Sequence, residues 1–220
     1  MASSALASMT TEQRVAKKQR LERSSWVSFE DFQIPKLQIG EATGVTVNKQ
    51  DVRLLLTPEP DDYLATPFGF SARDVSEAAA ANGAKKLSLG MLVAGKLETF
   101  LEKLDAAASK QYRNSVGKLQ WKSLIKETPQ GQKRINVKVP LAGADEPIFK
   151  VADANGQLKL ISGWADILEA IIHRRRFISA EAKVVVVLRL YEMAEEGHAG
   201  LYLTASQIAM KPQRAEEEAF

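Results

Sequence analysis

Lys183-Val-Val-Val-Val-Leu-Arg-Leu-Tyr191, Glu192-Met-Ala-Glu-Glu-Gly-His-Ala-Gly200, Leu201-Tyr-Leu-Thr-Ala-Ser-Gln-Ile-Ala-Met210: these residues decide the fold class. Four consecutive valines favour strand over helix, because β-branched side chains are stiff in a helix and pack well on a pleated surface. A second apolar run follows a polar, glycine-bearing connector, the pattern of an antiparallel hairpin. A turn centred on Glu195, Glu196, Gly197 and His198 sets Tyr191 opposite Tyr202 and Arg189 opposite Thr204. Side chains alternate along a strand, so these four share one face, and Leu188, Leu190, Leu201 and Leu203 share the other. One face is apolar. The other carries two phenol rings and a guanidinium, which suits a ligand that is flat and anionic.

Outward from the hairpin, the chain continues the β pattern. Trp26-Val27-Ser28-Phe29, Lys36-Leu37-Gln38-Ile39, Gly44-Val45-Thr46-Val47 and Val52-Arg53-Leu54-Leu55-Leu56 read as short strands punctuated by Gly40, Gly44 and Pro58. The Leu87 to Val93 stretch alternates as a half-buried strand, and Gln132 to Pro140 turns Ile135, Val137 and Val139 one way with Arg134, Asn136 and Lys138 the other. Ile148-Phe149-Lys150-Val151 and Leu158-Lys159-Leu160-Ile161 flank Asn155-Gly156, a strong hairpin signal because both turn positions tolerate positive φ.

Apolar stripes and caps mark helical spacing in three places. Leu97, Phe100, Leu101, Leu104 and Ala108 form a stripe of about four turns. Ser76 to Ala84 is an alanine-rich candidate ending in Asn82-Gly83. Ser162 caps a third, with Trp164, Ile167, Leu168, Ile171 and Ile172 as its apolar stripe and Arg174, Arg175 and Arg176 at the end where cations complement the helix dipole. Between Thr57 and Ser71, three prolines (Pro58, Pro60, Pro67) argue against a regular element. Tyr63, Phe68 and Phe70 crowd that loop, either pinning it to the core or presenting rings to a ligand.

Charge is distributed unevenly. The net formal charge is only +3, yet eight basic residues (Lys110, Arg113, Lys118, Lys122, Lys126, Lys133, Arg134, Lys138) stand between 110 and 138 against the single acid Glu127. Distribution, more than total, steers polyanions. Lys118, Lys122 and Lys126 recur every four residues, which places them on one face of a helix, with Tyr112 and Trp121 interspersed. Basic residues mixed with aromatics fit a groove that tracks a nucleic-acid backbone; the competing reading is a surface helix with Trp121 buried.

Composition excludes several classes of chemistry. With no cysteine, disulfides and thiolate sites are ruled out. His173 and His198 are remote and lack ligand spacing, and Asp61-Asp62 and Asp145-Glu146 read as solvated acids, so neither metal nor cofactor is expected. No nucleophile elbow, phosphate-cradling glycine loop or dinucleotide fingerprint occurs, and the chain is not expected to be an enzyme. No apolar run reaches 18 residues, so no membrane partner is expected. Residues 1–25 read as a flexible basic arm, 26–210 as one domain and 211–220 as an acidic tail. The arm holds Arg14, Lys17, Lys18, Arg20 and Arg23; a solvated arm is expected ahead of a nuclear-import or transit signal.

Short strands, two hairpins, packing helices and localised positive charge fit a mainly β protein with packing helices (α+β), specifically an OB-type β-barrel with long decorations. The order Arg53-Leu-Leu-Leu-Thr-Pro58, Thr66-Pro-Phe-Gly-Phe-Ser71, the Leu87 to Val93 strand entering the Lys96 to Lys110 helix, Ile135-Asn-Val-Lys-Val-Pro140 and Gly200-Leu-Tyr-Leu-Thr-Ala-Ser-Gln-Ile208 resembles the OB-fold single-stranded DNA-binding proteins of large eukaryotic DNA viruses and phages. The likeness spans about residues 45 to 210; the arm before Trp26 and the Ala-rich insert near Ala78 depart from it. It implies sequence-independent binding of single-stranded DNA in replication, recombination or repair, in an intracellular compartment where DNA is replicated. Stacking would fall to Tyr191, Tyr202, Trp121, Phe68 and Phe70. Phosphate contact would fall to Arg189, Lys118, Lys122, Lys126, Arg134 and Lys138. The ending Glu216-Glu217-Glu218-Ala219-Phe220 is similar to the tails of bacterial and T7-like phage single-stranded DNA-binding proteins, implying recruitment of replication partners. Homo-oligomerisation is left open. An adaptor whose β-domain docks a protein, and a single-stranded RNA-binding protein, are the alternatives.

Overall fold

In this computed structural model the residues described are 26–39, 45–47, 50–57, 59, 62–67, 69–70, 86–115, 117–140, 146–153, 155–161, 166 and 180–211. Their strands run β1 (Val27–Ser28), β2 (Gln38–Ile39), β3 (Val45–Val47), β4 (Gln50–Asp51), β5 (Arg53–Leu55), β6 (Leu64–Thr66) and β7 (Lys86–Leu92). Helix α1 (Gly95–Ser115) follows. The chain then forms β8 (Gln120–Lys122), β9 (Lys126–Glu127), β10 (Lys133–Pro140), β11 (Ile148–Ala152), β12 (Leu158–Ile161), β13 (Ala180–Met193) and β14 (His198–Lys211).

The β13–β14 hairpin is the spine of the main sheet, whose longest path is β1-β5-β13-β14-β10-β7. Along its free side β14 takes three partners in turn, each parallel to it: β8 at His198 to Gly200, β10 at Leu203 and Thr204, and β11 from Gln207 to Met210. Strand β13 takes β6 at Ala180 to Ala182 and β5 at Val185 to Val187. A separate small sheet orders β2-β3-β4.

The hairpin faces are those the alternation predicts, and its register is displaced by two. A 3₁₀ turn at Ala194–Glu196 closes on Gly197 with φ 70°, a left-handed conformation that glycine adopts without strain. Tyr191 therefore pairs with Gly200 and Arg189 with Tyr202. A shift of two preserves parity, so the leucines still face inward. Further along, Val186 pairs with Ala205 and Val185 with Gln207, leaving Ser206 as a bulge whose hydroxyl donates to the Val185 carbonyl at 3.2 Å. The bulge exchanges inward parity on β14, from Leu201, Leu203 and Ala205 to Ile208 and Met210, all buried.

Two expectations are corrected. Hydrogen-bonded pairing among the described strands does not close the sheet into a barrel. The nearest approach is the segment 64–70, which pairs with β13 through β6 and reaches β7 through one bridge, Phe70 to Leu89. A three-residue strand, Leu64–Thr66, thus forms within this proline-rich stretch, with no proline inside it. The basic segment is not a helix: α1 ends at Ser115, and Lys122 and Lys126 lie on strands β8 and β9. A four-residue spacing is even, so it fits a pleat as well as a helix turn.

Helix α1 is the one α-helix described along its length; Asp166 is the other helical position among the described residues. Leu97, Leu101, Leu104, Ala108 and Tyr112 are its buried stripe, joined to Leu54, Val137, Phe149, Val186 and Leu203 in one core. Phe100 packs on Phe29 and Phe32 at 5.4 and 6.1 Å. At its C-terminal end the Gly117 amide donates to the Tyr112 carbonyl at 3.0 Å, and a Cβ at 117 would run into the Tyr112 ring. The expected helix at 76–84, the arm, the tail beyond Lys211 and, apart from the helical Asp166, the expected helix from Ser162 lie outside the described residues.

Candidate nucleic-acid interface

Cross-strand partners share a face, so the registers place side chains without further assumption. Tyr191, Arg189 and Val187 of β13 share the outer face with Gly200, Tyr202 and Thr204 of β14. Pairing of Lys122 with Gly200 and of Lys138 with Thr204 adds β8 and β10 to that face. Arg134 and Lys126 are paired on β10 and β9, and Lys86 lies opposite Pro140. One side of the sheet therefore gathers Tyr191, Tyr202, Arg189, Lys122, Lys126, Arg134 and Lys138, together with Lys86.

The rings form a short ladder at the centre of this face. Tyr191 meets His198 edge-on at 5.8 Å and Tyr202 at 6.2 Å between centroids. Tyr191 can lie across β14 because residue 200 is glycine. A Cβ there would fall 2.7 Å from the Lys122 carbonyl oxygen and 2.9 Å from the Tyr191 hydroxyl, closer than van der Waals contact allows. His198 is buried beneath the ladder, with Nδ1 3.5 Å from a Glu196 carboxylate oxygen.

The cations are not equivalent. The Lys138 ammonium sits 4.2 Å from the Tyr202 centroid, a cation–π distance. Partial burial, and secondarily the charge of Lys86, hold its pKa below the ordinary lysine value. Arg189 Nη1 contacts Asp51 Oδ1 at 2.8 Å. Arg134 Nε is buried without a hydrogen-bond partner. Lys122 and Lys126 are exposed on their strands, and Lys118 is exposed in the connection between α1 and β8. The Tyr191 pKa is raised, first by burial and then by the charges of Asp105 and Glu196.

Two expected stacking residues are spent elsewhere. Trp121 pairs with Ala199, which faces inward; its ring packs 5.5 Å from Tyr112 and its Nε1 donates to Asp105 Oδ1 at 3.1 Å. Burial raises the Asp105 pKa, against the hydrogen bonds from Trp121, Ser123 and Leu124 that lower it. Tyr112 is fully buried and donates to Glu192 Oε1 at 2.6 Å. Phe70 is core, 6.4 Å from Phe149, and Phe68 lies outside the described residues. The loop aromatics that can be described thus pin it: Tyr63 is half-buried with the Lys211 ammonium 3.8 Å from its centroid.

Lys86, Gly200 and Asp51 were missed. Alternation along β7 puts Lys86 on the polar face with Ser88 and Gly90, and a glycine inside a strand marks close approach of another group. Asp51, 138 residues from Arg189 in the chain, carries no local signal.

No family model matches the chain, and no curated protein does. Among solved structures it is similar to the single-stranded DNA-binding protein from bacteriophage Enc34 in a C-terminally truncated form, at 10% identity and TM-score 0.45 over 82% of this chain and 97% of that one. The same phage protein in complex with ssDNA gives 10% identity and TM-score 0.41, covering 79% and 94%. The gp2.5 single-stranded DNA-binding protein encoded by bacteriophage T7 gives 14% identity and TM-score 0.39, covering 70% and 92%.

Proposed function

We propose that this protein binds single-stranded DNA without reading its sequence, using the outer face of the main sheet as an opened-out OB-type surface. One observation carries the reading: the Tyr191–Tyr202 ladder shares a face with Lys86, Lys122, Lys126, Arg134, Lys138 and Arg189. Aromatic rings that a strand can reach stack on any base, and flanking cations neutralise phosphates without regard to sequence. On this reading the role is coating of exposed strands in replication, recombination or repair. In this reading 26–210 is the binding domain, Lys118 extends the basic rim, and the tail residues Glu216, Glu217, Glu218 and Phe220 engage replication proteins.

The test is a fluorescence titration with oligo-dT at several salt concentrations, with duplex DNA as competitor. If about five phosphates are neutralised, log affinity falls with log salt at a slope of roughly −3.5, at ~0.7 per phosphate. Duplex should compete poorly. Binding that ignores salt, or none at micromolar protein, would reject the reading. An oligo-rU arm separates DNA from RNA preference, which this chemistry leaves equal.

A further inference from the structure

We infer that Asp51 sets the affinity of this face, as a fixed carboxylate that competes with a phosphodiester for Arg189. The inference rests on the nucleic-acid reading above and adds an internal competitor to it.

Its basis is the way the backbone holds both partners. The Leu188 amide donates to the Val52 carbonyl at 3.1 Å. Val52 and Leu188 are buried in the core, so their chain neighbours Asp51 and Arg189 point the other way. Asp51 is also held from its far side, where β4 pairs with β3 and Asp51 lies opposite Thr46. The carboxylate is thus delivered to the guanidinium by two sheets at once, 2.8 Å from Nη1, and cannot swing clear as a flexible tail would. Both side chains remain part-exposed, 28% for Arg189 and 47% for Asp51, so the pair is within reach of a ligand on that face.

Asp51 presents to Arg189 the same kind of charged oxygen that a phosphate would. A strand that takes Arg189 must displace this oxygen or lie beside it. With the carboxylate held in place, a phosphate that lies beside it meets a guanidinium already neutralised. The Arg189 contact then contributes almost nothing to net counterion release. Removing the carboxylate takes away this competitor.

The experiment compares full-length wild type, Asp51→Asn, Arg189→Met and the double variant in oligo-dT titrations across salt. Asp51→Asn is expected to bind several-fold tighter at low salt, with a salt slope steeper by ~0.7, one added phosphate. The double variant should show neither gain. Thermal melting should barely change, since exposed ion pairs contribute little to stability; if Asp51→Asn fails to fold, Asp51→Ser serves in its place. Equal affinity and equal slope, or weaker binding by Asp51→Asn, would overturn the inference while wild-type binding left the parent reading standing. Absence of binding by every protein would overturn both.

Discussion

Lys138 lies with its ammonium 4.2 Å from the centroid of the Tyr202 ring, so a cation and an aromatic ring occupy each other on this face. Their contributions separate by salt. Tyr202→Ala should weaken oligonucleotide binding by ~1–3 kcal/mol, the scale of one base–aromatic stack, with the salt slope unchanged. Lys138→Met should weaken it less at high salt and flatten the slope by ~0.7, one lost phosphate contact. Titrations of both variants at three salt concentrations, with circular dichroism to confirm folding, decide the matter. Equal slope changes in the two variants would contradict the assignment.

Trp121 is expected to matter for stability and hardly at all for binding. Trp121→Phe keeps the ring against Tyr112 but removes the donor to the buried Asp105, which is left without its indole N–H. Losing one partner of a buried polar group costs ~1–3 kcal/mol. Urea denaturation should register that loss while oligo-dT affinity stays within about twofold, well inside the ~1–3 kcal/mol of a lost stack. Weakened binding at unchanged stability would return Trp121 to the interface.

Tyr112 should govern alkaline stability. Burial, then its bond to Glu192 and that residue's charge, push its pKa up from 10.0 to about 12. The folded chain therefore keeps a proton that the unfolded chain releases first. The stabilisation is complete below pH 10.0 and is lost as pH rises toward about 12. Ultraviolet titration of tyrosinate should show a phenol ionising near pH 12, and Tyr112→Phe should remove both that phase and part of the alkaline loss. A wild-type profile in which every phenol ionises near the ordinary value would refute this.

Much of the candidate face was legible because parity is a local property. Alternation along 183–191 and 201–210 assigns Tyr191, Tyr202 and Arg189 to one face whatever the register, since a displacement of two residues returns every side chain to its own side. The same logic recovers Lys138 and Arg134 from the 132–140 stretch. Lys122 and Lys126 came out on the face although read as helical, because even spacing satisfies a strand. Trp121 and Phe70 did not, since nothing local distinguishes a ring offered to a ligand from one wanted by the core.

The sequence alone settled the mainly β character, the hairpin, the amphipathic α1 stripe and the chemistry available on the polar side. Each depends on propensity and period within about 20 residues. Tertiary packing decided the register through the Gly197 turn, the parity change at Ser206 and a sheet that the described strands do not close into a barrel. It also seated Tyr191 over Gly200, drew Trp121 inward to Asp105 and brought Asp51 to Arg189. These are contacts between segments far apart in the chain, made only when burial of the shared core fixes which strands lie side by side.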